Sequence, residues 1–131
     1  WATYTDPELA HVGMTEADAR KAHRSISVLR WPYGENDRAQ AERKTDGLLK
    51  MVTDKRGNIL GVTIVGAGAS EMINLWAFAL SKGMKARDML GYVPPYPTMT
   101  EIGRRAAITQ LAGATRKPAV RRLLRFLRVF G

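Results

Sequence analysis

Two short apolar runs on either side of one tight turn constrain this chain more than any other feature. Gly47-Leu-Leu-Lys-Met-Val-Thr53 and Ile59-Leu-Gly-Val-Thr-Ile-Val65 flank Asp54-Lys-Arg-Gly-Asn58. The runs suit a pleated, half-buried surface, and Gly57 can take the positive φ of a reversal. The arrangement predicts a β-hairpin. Strands that follow one another, rather than alternating with helices, point to an α+β fold. The expectation is an antiparallel sheet of about three to five strands flanked by helices.

The flanking segments add to that sheet. Glu8-Leu-Ala-His-Val12 reads as a short extended piece ended by Gly13, and residues 25–33 as a strand carrying Ile26, Val28 and Trp31. Between them Thr15-Glu-Ala-Asp18 is a capping-box variant opening a helix over 16–22. Residues 36–44 are polar and read as a loop with one helical turn. After Gly66-Ala-Gly-Ala69, residues 70–81 form a helix that is apolar almost all round, with Met72, Ile73, Leu75, Trp76, Phe78 and Leu80. So little polar surface implies burial on more than one face, which is easier if a second protein covers part of the helix. Residues 86–90 read as a short helical turn.

Tyr92-Val-Pro-Pro-Tyr-Pro-Thr-Met-Thr-Glu101 comes next. Proline fixes φ and extends the residue before it, so this loop is stiff. It aims Pro95, Tyr96 and Pro97 at a partner or a site. Thr98 then caps a helix over 98–111, with Glu101 reaching back to the Thr98 N–H and Ile102, Ala106 and Ile108 facing the core.

The chain has 131 residues and no cysteine, which suits one domain without disulfides or thiolate chemistry of its own. It opens on Trp1 and is expected to be a piece of a longer polypeptide. No apolar run reaches the roughly 18 residues of a membrane span, and the composition fits a cytoplasmic protein. The net charge of +9 is unevenly placed. From Glu101 onward eight basic residues face one acid, a net +7; the remainder carries thirteen against eleven, a net +2. We therefore divide the chain into a domain over 1–115 and a basic amphipathic helix over 116–131. In that helix Arg121, Arg122, Arg125 and Arg128 lie opposite an apolar face of Val120, Leu123, Leu124, Leu127 and Phe130. Either the apolar face packs on the body and the arginines stay solvated, or the helix docks on an anionic membrane or an acidic partner. No aromatic interleaving or base-reading motif accompanies the charge, so nucleic acid is not an expected partner.

Other candidates are weaker. Gly66-Ala-Gly68 between a strand and a helix evokes dinucleotide binding, but the third glycine position holds Glu71 and no second parallel strand ending in an acid follows. His11 and His23 lack a second ligand at metal spacing. Nothing groups a nucleophile, a base and an oxyanion donor.

Six segments in order resemble a known family. They are Tyr4-Thr-Asp-Pro-Glu-Leu-Ala-His-Val-Gly13 with Thr15-Glu16; Arg38-Ala39; Gly47-Leu-Leu-Lys50; Ile59 to Gly66; Ala69 with Glu71; and Tyr96-Pro-Thr-Met-Thr-Glu101. Over residues 3–111 the chain resembles the C-terminal dimerisation domain of the pyridine nucleotide-disulfide oxidoreductases, such as dihydrolipoamide dehydrogenase, glutathione reductase and mercuric reductase. The resemblance implies a homodimer and a parent enzyme whose upstream domains bind FAD and NAD(P)H. The fragment alone would bind neither cofactor and would be inactive. It also implies that the loop before Thr98 enters the partner subunit's site, with Tyr96 and Glu101 acting there in trans and Tyr96 and Pro97 near the partner's FAD. Met72, Trp76, Pro94, Pro95, Tyr96, Pro97 and Thr98 would line the dimer interface.

One position departs from the family. Most members keep histidine where this chain has Tyr96, paired with the glutamate matching Glu101. Tyrosine titrates near 10 against about 6.5 for histidine, so it is a poor proton carrier near pH 7. Mercuric reductases resemble this chain in having tyrosine there, yet they end in a cysteine pair that is missing here.

Overall fold

Asp54 closes the hairpin. Its Oδ1 accepts the N–H groups of Arg56 (2.8 Å) and Asn58 (2.9 Å), and Gly57 sits at φ 84°. These bonds hold the turn whose positive φ only a residue like glycine adopts cheaply. The computed structural model describes residues 1–115, and within them the hairpin is the centre of a five-stranded sheet. The strands are β1 (Ala2–Thr3), β2 (Leu9–Gly13), β3 (Ile26–Pro32), β4 (Leu48–Asp54) and β5 (Ile59–Val65). Their order across the sheet is β1-β2-β5-β4-β3, and every pairing is antiparallel. The α+β expectation is met. The two-residue β1 was not expected: it is too short for an alternation signal and exists by pairing with β2.

Helices α1 (Glu16–Ala22), α2 (Asp37–Glu42), α3 (Ala69–Ser81) and α4 (Glu101–Thr115) complete the described fold, with 3-10 turns at Tyr33–Glu35 and Ala86–Leu90. The polar stretch read as a loop with one helical turn carries the six-residue helix α2, capped by Asn36. The tail expected to carry Arg121, Arg122, Arg125 and Arg128 lies outside the described residues.

Side-chain alternation gives the sheet one apolar face. Ala10, Leu29, Leu49, Met51, Val62 and Ile64 point to it and are buried. The helix α3 covers β2 and β5, and α4 covers β3 and β4. On the opposite face Glu16 of α1 gathers Arg20 (2.7 Å), Arg30 (3.3 Å) and Lys50 (3.6 Å). Each exposed ion pair is worth about 1 kcal/mol at most, whereas burying a Leu, Ile or Met side chain contributes about 1.5–3 kcal/mol. The apolar face therefore decides the fold and the ionic cluster trims it.

The α3 helix spends its apolar side chains inward. Ala69, Met72, Ile73, Trp76 and Ala79 form a stripe at three and four spacing, and all are buried. Met72 and Trp76, expected at a dimer interface, both face the core of this chain. What α3 leaves outside is Phe78, 59% exposed, with the Lys82 ammonium 5.7 Å from its ring centre. In α4, Ile102, Ala106 and Ala107 are buried. Ile108, expected in the core, is 38% exposed because the helix turns residue 107 inward instead.

Trp76 and α4 meet at Gly103. A Cβ there would overlap the indole. Alanine normally improves a helix interior by about 1 kcal/mol over glycine, while overpacking a core costs about 1–3 kcal/mol. Gly103→Ala is expected to lower stability by up to about 2 kcal/mol despite its better helix propensity, read as a lower urea midpoint at unchanged m-value.

Candidate functional site

The proline loop is held at its base and bare at its tip. Pro94 is buried, whereas Pro95, Tyr96 and Pro97 are exposed. Tyr96 shows 70% of its surface and Val93 79%. The bond between Tyr96 and Pro97 is cis. Pro94, expected at a dimer interface, is buried and anchors the loop in the body of this chain. Pro95, Tyr96 and Pro97 stand outward together, with Thr98 half-buried behind them.

Two residues at the start of α2 hold this geometry. Asn36 is 4% exposed. Its Oδ1 accepts the Ala39 N–H (2.9 Å), which caps α2, and its Nδ2 donates to the Thr98 carbonyl (3.0 Å). One amide side chain thereby satisfies a helix terminus and a loop carbonyl 62 residues away. Asp37, the first residue of α2, accepts the Tyr96 hydroxyl at Oδ2 (2.9 Å). That bond, with the nearby carboxylate charge, raises the pKa of the Tyr96 hydroxyl above the ordinary tyrosine value.

Glu101 does something else. Its Oε2 accepts the Thr98 N–H at 3.3 Å, the back-reaching half of a capping box. The Thr98 hydroxyl bonds to that of Thr100 (2.9 Å). Tyr96 and Glu101 are therefore close along one loop, but the phenol proton goes to Asp37. Sequence reasoning missed Asn36 and Asp37 because they lay in a polar stretch. The available signal was Asn followed by an acid, the usual opening of a helix.

The Gly66-Ala-Gly68 turn carries its own anion. Glu8 Oε2 accepts the Ser70 N–H (2.8 Å) and the Ser70 hydroxyl (2.7 Å) in the first turn of α3. The Ser70 backbone bond, then its hydroxyl, lowers the Glu8 pKa below the ordinary carboxylate value. Gly66, at φ 147°, passes so close to the Tyr33 ring that a Cβ would overlap it. Tyr33 is fully buried and its hydroxyl donates to the Ala67 carbonyl (3.0 Å). Burial raises its pKa. Gly66 thus serves strand-to-helix packing, and Gly68 takes the left-handed conformation that caps α3.

The buried His11 has both ring nitrogens in local bonds, Nε2 with the Gly13 carbonyl and Nδ1 with the Thr63 hydroxyl, each 2.9 Å. Trp1 lies against its ring. Among the described residues no three His, Asp or Glu side chains are grouped to hold a metal.

The profile of the family described as the pyridine nucleotide-disulphide oxidoreductase dimerisation domain matches residues 1–107. The chain belongs to this family. It is similar to the dihydrolipoyl dehydrogenase of Bacillus subtilis, 39% identical over 105 residues, covering 79% of this chain and 22% of that protein. The dihydrolipoyl dehydrogenase of Haloferax volcanii is 39% identical over 114 residues, covering 86% and 24%. Among solved structures, the HOCl-induced flavoprotein disulfide reductase RclA of Escherichia coli superposes with a TM-score of 0.78 at 27% identity, over 82% of this chain and 25% of that one. LpdA of Mycobacterium tuberculosis shares the fold at a TM-score of 0.78 and 22% identity, over 84% and 24%. The chain spans about a quarter of the length of these proteins.

Asn36→Ala is expected to cost about 1–2 kcal/mol, since it removes a helix cap and the partner of the Thr98 carbonyl together; urea unfolding measures it. Glu8→Gln is expected to cost about 1 kcal/mol at pH 7. Because folding lowers the Glu8 pKa, its contribution is present above the unfolded carboxyl value of 4.5 and disappears as pH falls through the folded value. Wild type and Glu8→Gln should therefore converge in unfolding midpoint at acid pH.

Proposed function

We propose that this domain pairs with a second copy in a flavin-dependent disulfide reductase and places its proline loop in the partner subunit's active site. One observation carries the reading: an exposed Pro95-Tyr96-Pro97 tip stands on a base fixed by Pro94, Asn36 and Asp37. A loop this constrained loses little conformational entropy on docking. An exposed tyrosine gives it a large contact surface with a polar end.

In this reading FAD and NAD(P)H belong to domains upstream of Trp1 in the parent chain, and they supply the electron transfer. The present residues position and complete. Tyr96 and Pro97 lie against the partner's bound ligand or flavin. Glu101 fixes the loop-to-helix junction through the Thr98 N–H and stands ready for a proton carrier at position 96. A neutral phenol held by a carboxylate is a poor shuttle near pH 7, so the usual acid–base step of dithiol chemistry is weakened in this chain. The dimer surface centres on Pro95, Tyr96, Pro97 and Thr98. The uneven charge of the chain supports a separate reading of its tail, through Arg121, Arg122, Arg125 and Arg128, as a seat on an anionic membrane or an acidic partner.

The loop reading is tested in the full-length flavoenzyme. Tyr96→Phe should alter steady-state turnover, and Tyr96→His should raise dithiol oxidation near pH 7, by up to about a hundredfold if a general acid–base is restored. Unchanged kinetics in both variants would remove Tyr96 from the site. Sedimentation equilibrium of the same protein should give a dimer; a strict monomer at high micromolar concentration would falsify the pairing.

A further inference from the structure

We propose that Asp37 determines what Tyr96 can recognise: its carboxylate accepts the phenol O–H, so the loop presents an oxygen that accepts hydrogen bonds, and the site selects a ligand atom bringing its own proton, such as a thiol S–H. The inference rests on the placement of Tyr96 in the partner's site argued above.

A phenol has one proton and accepting lone pairs. At 2.9 Å from Asp37 Oδ2 the Tyr96 proton is committed to a carboxylate, a charge-assisted bond stronger than a neutral one. The exposed side of the oxygen then carries only lone pairs. Those lone pairs accept from a thiol and repel a thiolate or another carboxylate. The bond is not an accident of a free side chain. Asn36, the residue before Asp37, grips the Thr98 carbonyl, so two consecutive residues of α2 hold the loop on both sides of Pro97. The backbone grip sets where the ring stands, and the carboxylate sets which way its hydroxyl points. The phenol donates to Asp37 and not to Glu101, whose Oε2 accepts the Thr98 N–H. The charged groups facing the phenol are Asp37 from α2 and Glu101 and Arg105 from α4; the two acids favour the protonated phenol and Arg105 opposes them. Asp37 is thus a positioning and specificity-determining residue, acting through Tyr96.

Two measurements separate this inference from the reading beneath it. In the 131-residue chain, tyrosinate absorbance is titrated in wild type and Asp37→Asn, each against its own Tyr96→Phe version to isolate one phenol. Tyr96 should titrate above the ordinary value in wild type and return toward about 10 in Asp37→Asn, with Asp37→Glu between them. A Tyr96 signal that Asp37→Asn leaves in place overturns the proposal. In the full-length flavoenzyme, Asp37→Asn frees the phenol proton, because asparagine can donate to the oxygen. It should raise the KM for a dithiol about threefold to tenfold, the range of one hydrogen bond, and should have no further effect once Tyr96 is Phe. A KM that moves with Tyr96→Phe and not with Asp37→Asn overturns the role of Asp37 and leaves the loop in the site. Neither variant moving KM or kcat removes the loop from the site, and this inference with it.

Discussion

Trp76 packs against α4 at residue 103 only because that residue has no side chain. That contact joins the two helices covering the apolar face of the sheet, one over β2 and β5, the other over β3 and β4. Without close approach at Gly103 the helices would separate, and the buried faces of Leu49, Met51, Val62 and Ile64 would lose cover. The start of α4 is also where the proline loop ends.

The loop is built as a rigid tip on a shared base. Its base belongs partly to the core, through Pro94, and partly to α2, through Asn36 and Asp37. The helix α2 is only six residues long, too short to be stable alone, and the loop bond to its capping asparagine helps to justify it. Each element supports the other across 62 residues of sequence. The domain's membership of the dimerisation family gives this mutual support its context, since the side of the molecule it organises carries the exposed Val93, Tyr96 and paired prolines.

Local signals in the sequence were strong where chemistry repeats at short range. The hairpin around Asp54 to Asn58, the helix opened by Thr15, the run of α3 and the turn at residues 86–90 all stand within a residue of where caps, turns and alternation put them. The misses share a physical cause, which is dependence on distant partners. The strand β1 is made by its neighbour β2. The helix α2 is made by a cap whose other bond is to Thr98. Apolar pattern showed that α3 must be buried, but not by what: α4 meets Trp76 at Gly103, and Met72 lies beside the hydroxyl of the buried Tyr33. For the same reason the exposure of Tyr96 and the burial of Pro94, two residues apart, could not be told from the prolines alone. The pairing of Tyr96 with Asp37 in place of Glu101 was equally invisible, because 59 residues separate the partners.

Glu8 has a wider consequence. A strand, two glycines and a helix form a shape that proteins often use to cradle phosphate, and here the cradle arrives already filled. Any incoming anion would have to evict a carboxylate that receives both the amide and the hydroxyl of Ser70, and would then share the space with its charge. The chain thus blocks from within a site that its backbone would otherwise offer. Nucleotides meeting this domain find the vacant-looking turn closed to them, and their phosphates are left to surfaces built elsewhere.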